Sequence, residues 1–176
     1  MATKQALRDL QSRLAERLQT AQTQPVSMSW LAVLVGEGHY LLPLAQSGEI
    51  FPLAGVTPVP YTKPWFAGVV NLRGGLYGVV DLAQFMTGST KRNLSEQSLA
   101  RSRLITLGVE SGMNSAVIVD GLLGLRRQDA FQSVEAAPSG APPFFGQCFT
   151  DAQGERWQEI DLLLLSHSAG FLDIGS

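Results

Sequence analysis

The sequence predicts a mostly β protein built from two small antiparallel barrels, and three observations support this fold class. Short β-branched and leucine-rich runs recur along the 176-residue chain, separated by Gly, Pro, Asn and Asp turn signals. The helical crossovers that purely parallel sheets need are almost missing from the pattern between residues 25 and 160. A chain of this length can also bury a sizeable apolar core, as one domain or as two subdomains that share it.

An amphipathic helix is predicted over residues 4–22, before the first strand. Apolar residues recur there at three- and four-residue steps with charged residues between them, and Thr3 can serve as the N-cap. We take residues 1–24 as a separate arm, which holds four basic and two acidic side chains in front of an acidic body. The narrow apolar stripe is consistent with packing on the arm's own domain and with binding of a partner.

The first two strands follow Pro25. Residues 27–35 and 39–44 predict a pair of strands joined through a GEG turn, with Pro43 at a strand end or on an edge. Residues 48–64 contain four prolines, which favour an ordered connecting segment over a central strand or a helix.

A second hairpin is predicted in FAGVVNLRGGLYGVVDL, residues 66–82, with its turn at RGG. Gly74 and Gly75 allow positive φ at this turn, and Asp81 can cap the helical turn that follows. The polar residues 88–100 predict a loop and the boundary between two halves of the body.

The remaining runs predict two more hairpins. One joins residues 103–109 to 114–125 around ESGM, and the other spans residues 144–162 across DAQG. Residues 133–143 predict a surface loop, and residues 162–165 predict a short apolar helix or strand end.

Three of the predicted strands end in the same way. VVDL, IVDG and EIDL place Asp81, Asp120 and Asp161 at the ends of apolar runs. Strand termination and capping of the following turn are sufficient to explain this internal echo.

The residue types in the chain exclude most catalytic chemistry. His39 stands in a predicted hairpin and His167 in a Ser-rich tail, and neither has the setting of a triad base. Cys148 is the single cysteine, so no intramolecular disulfide can form, and no His or Cys spacing typical of a metal site occurs. The glycines do not form a phosphate-binding pattern. We therefore predict a protein with no catalytic residues, no metal and no cofactor.

Charge and hydropathy limit the partners. Thirteen basic against fifteen acidic residues provide no basic surface for nucleic acid or for an anionic membrane. The N-terminal residues are too charged for a secretory leader, and no apolar run approaches the roughly 18 residues of a membrane span. We expect a cytoplasmic protein that binds no nucleic acid, does not insert into a membrane and acts by surface recognition.

Four stretches, taken in order, resemble the CheW-type coupling proteins of bacterial chemosensory systems. They are WLAVLVGEGHYLLPL with VTPVPYTKPWFAG, FAGVVNLRGGLYGVVDL, AVIVDGLLGL, and FFGQCFTDAQGERWQEIDLLLL. The likeness covers residues 28–165 and implies a CheW-like domain over residues 25–170. It implies two five-stranded SH3-like barrels around a shared core, with subdomain 1 at 25–88, subdomain 2 at 100–160 and a closing segment at 161–170.

The resemblance also implies a function. CheW-type proteins link the cytoplasmic tip of a methyl-accepting chemoreceptor to a CheA-type histidine kinase, in receptor arrays at the membrane. The arginine of the family's turn corresponds to Arg73, and Asn71, Leu72 and Gly74 flank it, so these four residues are the predicted partner-binding site. The N-terminal arm and the tail SHSAGFLDIGS resemble members of type IV pilus pathways, which control twitching motility.

Several alternatives stay open at this point. Arg73 could solvate the hairpin tip or pair internally with an acidic residue such as Glu49. Gly75, Tyr77 and Gly78 stand where the family often has a proline and bulky aliphatic residues, which puts the local surface in doubt. The protein could also be a flagellar adaptor, a small ligand-binding barrel or a self-assembling structural protein.

Overall fold

A computed structural model describes residues 11–13, 28–88 and 95–176, and two β-sheets account for most of the described chain. Residues 11–13 are helical, whereas the remainder of the helix predicted over 4–22 lies outside the described residues. Residues 89–94, which belong to the predicted polar loop, lie outside them as well. The predicted fold class, mostly β, is confirmed.

Beyond the helical residues 11–13, the described chain contains eleven strands and four short α-helices in the following order. The strands are β1 (Ser29–Val35), β2 (Gly38–Pro43), β3 (Ser47–Pro52), β4 (Phe66–Leu72), β5 (Gly75–Asp81), β6 (Arg103–Leu107), β7 (Ser115–Val119), β8 (Gly121–Arg127), β9 (Phe131–Glu135), β10 (Phe145–Asp151) and β11 (Arg156–Ile160). The helices are α1 (Leu82–Thr87), α2 (Glu96–Arg101), α3 (Leu162–His167) and α4 (Ala169–Leu172). The antiparallel pairs β1–β2, β4–β5, β6–β7 and β10–β11 correspond to the four pairs predicted from the sequence.

The strands form one sheet of six and one sheet of five. The first has the order β8-β1-β2-β11-β10-β9, and the second has the order β3-β6-β7-β5-β4. The expectation of purely antiparallel barrels is corrected at two pairs, because β11 runs parallel to β2 and β5 runs parallel to β7. One barrel also has six strands where five were expected.

The two barrels do not follow the predicted division of the chain at residues 88–100. The first barrel takes β1 and β2 from before that segment and β8 to β11 from after it, whereas the second consists of β3 to β7. The chain leaves the first barrel after Pro43 and returns at Gly121, because β1 pairs with both β2 and β8. The second barrel is therefore an insertion between two strands of the first.

Four elements were not predicted: β3, α2, β9, which takes the first residues of the loop predicted at 133–143, and α4. Strand β3 lies at the start of the proline-rich segment, but it is an edge strand and ends at Pro52, so the prolines that follow do not interrupt it. Helix α2 replaces the end of the predicted polar loop, and the Ser95 side chain accepts a hydrogen bond from the Ser98 backbone N–H as its N-cap.

The second barrel closes at a glycine. Thr57, in the segment that follows β3, forms an antiparallel bridge with Val69 of β4, so this segment joins the two edges of the five-stranded sheet. The adjacent Gly68 has φ 135°, and a Cβ atom there would collide with the Thr57 carbonyl. The strand register shifts between Phe66 and Gly68, so Gly68 is a bulge residue that permits this close approach.

Buried apolar side chains form three clusters. Each barrel has its own interior, with Trp30, Phe149 and Trp157 in the first and Val79 and Leu104 in the second. The largest cluster lies between the barrels and takes residues from both sheets and from α3 and α4; it includes Val33, Leu42, Val80, Ile105, Val117, Ile160, Leu165 and Phe171. Each such side chain contributes about 1.5–3 kcal/mol when it is fully buried. The predicted shared core is present.

Of the three aspartates that end predicted strands, two cap the helix that follows. Asp81 Oδ1 accepts the Gln84 N–H at 3.1 Å at the start of α1, and Asp161 Oδ1 accepts the Leu164 N–H at 3.0 Å at the start of α3. Asp120 instead accepts a hydrogen bond from the Gly36 N–H, which joins β1 to the start of β8.

Candidate functional site

The predicted site lies at the tip of the β4–β5 hairpin, in a two-residue turn. Leu72 pairs with Gly75, so Arg73 and Gly74 form the turn, with φ of 50° and 86°. Positive φ at both central residues is the condition for a type I′ hairpin turn. The sequence led us to expect positive φ at Gly74 and Gly75, and the structure corrects this to Arg73 and Gly74.

Asn71 stabilises this turn. Its Oδ1 accepts a hydrogen bond from the Gly74 backbone N–H at 3.0 Å, which satisfies a donor that the tight turn would otherwise leave to solvent. Asn71 was predicted to bind a partner. In the structure its side chain stabilises the turn.

Arg73 reaches from the hairpin tip to β3. Its Nη2 lies 3.0 Å from Glu49 Oε2, and its Cζ lies 5.9 Å from the centre of the Phe51 ring. The pair is solvent-exposed, because 74% of the Arg73 side chain and 54% of the Glu49 side chain are accessible. The internal ion pair with Glu49, which was an open alternative, is thus present without burying the arginine.

A hydrogen bond from its backbone to β6 fixes the position of Glu49. Its N–H donates to Thr106 Oγ1 at 2.7 Å, and the β3–β6 register shifts between Ser47 and Ile50. A β-bulge of this kind redirects the bulged side chain. Gly48 is required in this bulge because a Cβ atom there would collide with the Thr106 hydroxyl.

Packing under the turn explains why this chain has Gly75 and Tyr77 where the family often has a proline and bulky aliphatic residues. Leu72 and Tyr77 pack against the interior of the second barrel. A Cβ atom on Gly75 would lie 2.9 Å from the Tyr77 ring, so Gly75 leaves room for this aromatic side chain. Leu76, which pairs with Asn71 across the hairpin, is 62% exposed and places an apolar side chain beside the turn.

Arg73 with its contacts Glu49 and Phe51, and Asn71 and Leu76 next to the turn on the outer face of the hairpin, define what we call the Arg73 surface. An exposed ion pair contributes only about 0.2–1 kcal/mol, so Arg73–Glu49 is not a stabilising feature of consequence. A guanidinium carries five N–H donors in a planar fork and can bind a carboxylate of another molecule. Affinity at such a surface comes mainly from apolar neighbours, here Leu76 and the Phe51 ring. The arrangement is suited to recognition.

The sequence alone did not identify Phe51 or Leu76 as members of this surface. Phe51 precedes Pro52 and stands in the segment predicted as a connection, so its strand was missed. Leu76 is one of many leucines, and only the hairpin register shows that it lies on the outer face. The adjacent strand-favouring residues Ile50 and Phe51 are the one local signal that could have indicated the strand.

The two histidines lie away from this surface, in structural contacts. His39 Nδ1 is 2.8 Å from Glu155 Oε1, and the ring lies against Trp157. His167 Nδ1 is 2.8 Å from the Leu163 carbonyl oxygen in α3. Within residues 28–88 and 95–176, no group of three or more His, Cys, Asp or Glu side chains could hold a metal ion.

The shifted pKa values also belong to structural contacts in the first barrel. A hydrogen bond from Trp157 Nε1 to the Asp151 carboxylate, at 3.0 Å, lowers the pKa of Asp151, and N–H groups of Glu155 and Gln153 add to the effect. A hydrogen bond to buried Cys148 raises the pKa of Arg156, and burial raises the pKa of Tyr40.

Among the helices that the structure describes, none is both long enough and apolar enough to cross a lipid bilayer.

Comparison with known proteins agrees with this architecture. The family model of the CheW-like domain matches residues 29–170. The chain therefore belongs to the CheW-like domain family. It is 28% identical over 166 residues to the protein PilI of Pseudomonas aeruginosa, across 92% of this chain and 88% of PilI. It is 30% identical over 112 residues to the protein FrzA of Myxococcus xanthus, across 64% of this chain and 66% of FrzA.

The fold likewise matches a solved structure. The crystal structure of the scaffolding protein TtCheW from Thermoanaerobacter tengcongensis superimposes with a TM-score of 0.65, over 82% of this chain and 96% of that one. The two sequences are 22% identical, so this likeness concerns the fold, two SH3-like subdomains.

Proposed function

We propose that this protein is a non-enzymatic adaptor that couples the cytoplasmic tips of methyl-accepting chemoreceptors to a CheA-type histidine kinase. The observation that carries the proposal is the Arg73 surface on a chain of the CheW-like domain family. The Asn-Leu-Arg-Gly turn that the family associates with coupling is the one that displays an exposed guanidinium here. Asn71, Leu72, Arg73 and Gly74 are the proposed partner-binding residues, and we add Glu49 and Leu76.

Each of these residues has a distinct part in the proposal. Arg73 binds a carboxylate of the partner, and Leu76 supplies the apolar contact that gives affinity. Glu49 keeps the guanidinium extended along the barrel and limits the side-chain entropy lost on binding. Asn71 and Gly74 hold the turn, and Leu72 anchors it to the barrel interior.

We further propose that the adaptor belongs to a type IV pilus pathway and controls twitching motility from the cytoplasm, at membrane-associated receptor arrays. The alignment with PilI, which extends over 92% of this chain, supports this assignment. Complementation of two strains tests it, one that lacks its pilus-pathway adaptor and does not twitch, and one that lacks its flagellar adaptor and is not chemotactic. Restored flagellar chemotaxis without restored twitching would contradict it and favour the flagellar alternative.

Co-elution of the full chain with the kinase and with a receptor cytoplasmic fragment tests the adaptor function itself. We expect a ternary complex in size-exclusion chromatography that Arg73→Glu weakens by at least about tenfold in Kd, since losing a central contact of 1.4 kcal/mol has that effect. Arg156→Glu is a matched control, because Arg156 is a similarly exposed arginine, paired with Glu135 on the other barrel. Failure of the wild-type chain to bind either partner would exclude the adaptor and favour a ligand-binding barrel.

A further inference from the structure

The last four residues of the chain pair with part of the proline-rich segment between β3 and β4. The Lys63 N–H donates to the Ile174 carbonyl oxygen at 2.9 Å, and the Ser176 N–H donates to the Tyr61 carbonyl oxygen at 3.1 Å. This is the hydrogen-bond pattern of a short antiparallel ladder. We call residues 173–176 the C-terminal strap.

The strap is anchored in the core at its beginning. Phe171, two residues before it, is buried in the cluster between the barrels, and its ring centre lies 5.8 Å from that of Phe85. Asp173 Oδ2 then accepts a hydrogen bond from Lys63 Nζ at 2.6 Å. The match to the family model ends at residue 170, so the strap lies beyond the part of the chain that the family model describes.

Tyr61, under the strap, has a backbone conformation that a residue with a Cβ atom rarely adopts. Its φ of 58° lies in the left-handed region, which glycine and asparagine tolerate better. The Tyr61 side chain is 87% exposed, so it makes little packing contact that could hold this conformation. The conformation therefore depends on backbone hydrogen bonds, and the bond from the Ser176 N–H is one of them.

The segment that the strap covers also closes the second barrel. The Thr57 N–H donates to the Val69 carbonyl oxygen at 2.8 Å, and the Val69 N–H donates to the Thr57 carbonyl oxygen at 2.9 Å. These two bonds lie on the outer edge of β4, an edge strand of the five-stranded sheet. Since β4 runs directly into the Arg73 turn, residues 57–63 connect the strap to the strand that carries the Arg73 surface.

We propose that the C-terminal strap is a latch that opens and closes the second barrel beside the Arg73 surface. When closed, it holds residues 57–63 against β4 and offsets the strain at Tyr61. When it detaches, Tyr61 relaxes to negative φ and the pair of bonds between Thr57 and Val69 breaks. The strap is exposed and has few hydrogen bonds, so it detaches at a lower free energy than global unfolding. This inference does not depend on the coupling function, because it involves no receptor or kinase.

Hydrogen exchange of the full chain, followed by NMR at single amides, tests the proposal. The double variant Asp173→Asn, Ser176→Pro removes the charge that pairs with Lys63 and the N–H that bonds Tyr61, while all other residues stay in place. Because each lost bond favours detachment of the strap, the amides of Thr57 and Val69 are expected to exchange at least about tenfold faster than in the wild type. Unchanged exchange at these two amides would overturn the proposal.

Two controls separate a local latch from a general loss of stability. The Gly108 N–H donates to the Gln46 carbonyl oxygen at 2.8 Å in the same barrel, and its exchange is expected to stay at the wild-type rate. Equal acceleration at Gly108 would overturn the proposal, because the whole barrel would then be opening. Ser176→Ala keeps the backbone N–H and is expected to leave the exchange of Thr57 and Val69 unchanged. Acceleration by Ser176→Ala as large as that of the double variant would overturn the proposal too, because the lost backbone bond would not be the cause.

Discussion

Arg73 occupies a backbone conformation that disfavours a residue with a Cβ atom. Its φ of 50° lies in the left-handed region, and such conformations in non-glycine residues cost of order 1–3 kcal/mol. Asn or Gly at this position would suit a type I′ turn better, and Gly74 already follows. An arginine at a strained tip, 74% exposed, is better explained by recognition than by stability. Its position in the hairpin turn was predictable from the sequence, whereas its φ and its contact with Phe51 were not.

The strain at this residue predicts a gain of stability on replacement. In a Glu49→Gln background, where the ion pair is already absent, Arg73→Asn is expected to raise the free energy of unfolding by about 0.5–1 kcal/mol, because Asn tolerates positive φ. Urea denaturation followed by circular dichroism measures this. Arg156→Asn, a change at an exposed arginine without positive φ, is expected to give no gain. Destabilisation by Arg73→Asn would mean that the turn is not strained.

Asp151 provides a prediction on pH. The hydrogen bond from Trp157 lowers its folded-state pKa below the ordinary value of 3.8. The carboxylate therefore stabilises the fold above its unfolded pKa, and this contribution is lost as the pH falls through the folded pKa. Trp157→Phe removes the indole N–H and is expected to move the pKa of Asp151 upward, as NMR titration of the carboxyl carbon would show. An unchanged pKa would contradict the assigned cause.

At the scale of elements, the local sequence pattern identified the hairpins. It failed for elements whose conformation depends on tertiary contacts. The pairs β1–β2 and β4–β5 have alternating apolar residues around turn signals, so their existence was predictable. Strand β3 was missed because the prolines that follow it dominated the pattern, although an edge strand tolerates them at its end. Helix α2 was missed because its six residues are mostly polar and its start depends on a Ser95 cap.

The bulge at Gly68 is the element on which closure of the second barrel depends. Gly68→Ala is expected to lower the free energy of unfolding by at least about 2 kcal/mol, because it adds strain at positive φ and forces Thr57 away from Val69. Gly121→Ala is the matched control, since the nearest atom to its Cβ is Leu34 Cβ at an ordinary 3.8 Å. Equal effects of the two substitutions in urea denaturation would show that closure at Gly68 does not limit stability.

At the scale of the whole molecule, the second barrel is inserted into the first. Strand β2 pairs with β11, more than one hundred residues away, and no local sequence signal indicates such a pairing. The sequence therefore predicted two barrels with a shared core but divided the chain at the wrong place between them. The cluster between the barrels packs side chains of both sheets into one core.

This shared core predicts a single unfolding transition. Ile105 lies in the second barrel, is fully buried and packs in the cluster between the barrels. Ile105→Ala is expected to cost about 2–5 kcal/mol and to shift the unfolding of both barrels together. In a Trp65→Phe background, tryptophan fluorescence reports on Trp30 and Trp157 of the first barrel, and far-ultraviolet circular dichroism reports on both barrels. Separate transitions by the two probes would contradict the account of a common core.

Receptor-controlled kinase activity tests the central claim most directly. Purified CheA-type kinase and receptor cytoplasmic fragments would be combined with the wild-type chain, with Arg73→Glu and with the control Arg156→Glu, and phosphorylation would be followed over time. The account predicts that the wild type and Arg156→Glu couple the kinase to the receptor equally, and that Arg73→Glu reduces coupling at least about tenfold while its stability is unchanged. Full coupling by a folded Arg73→Glu variant would contradict the account.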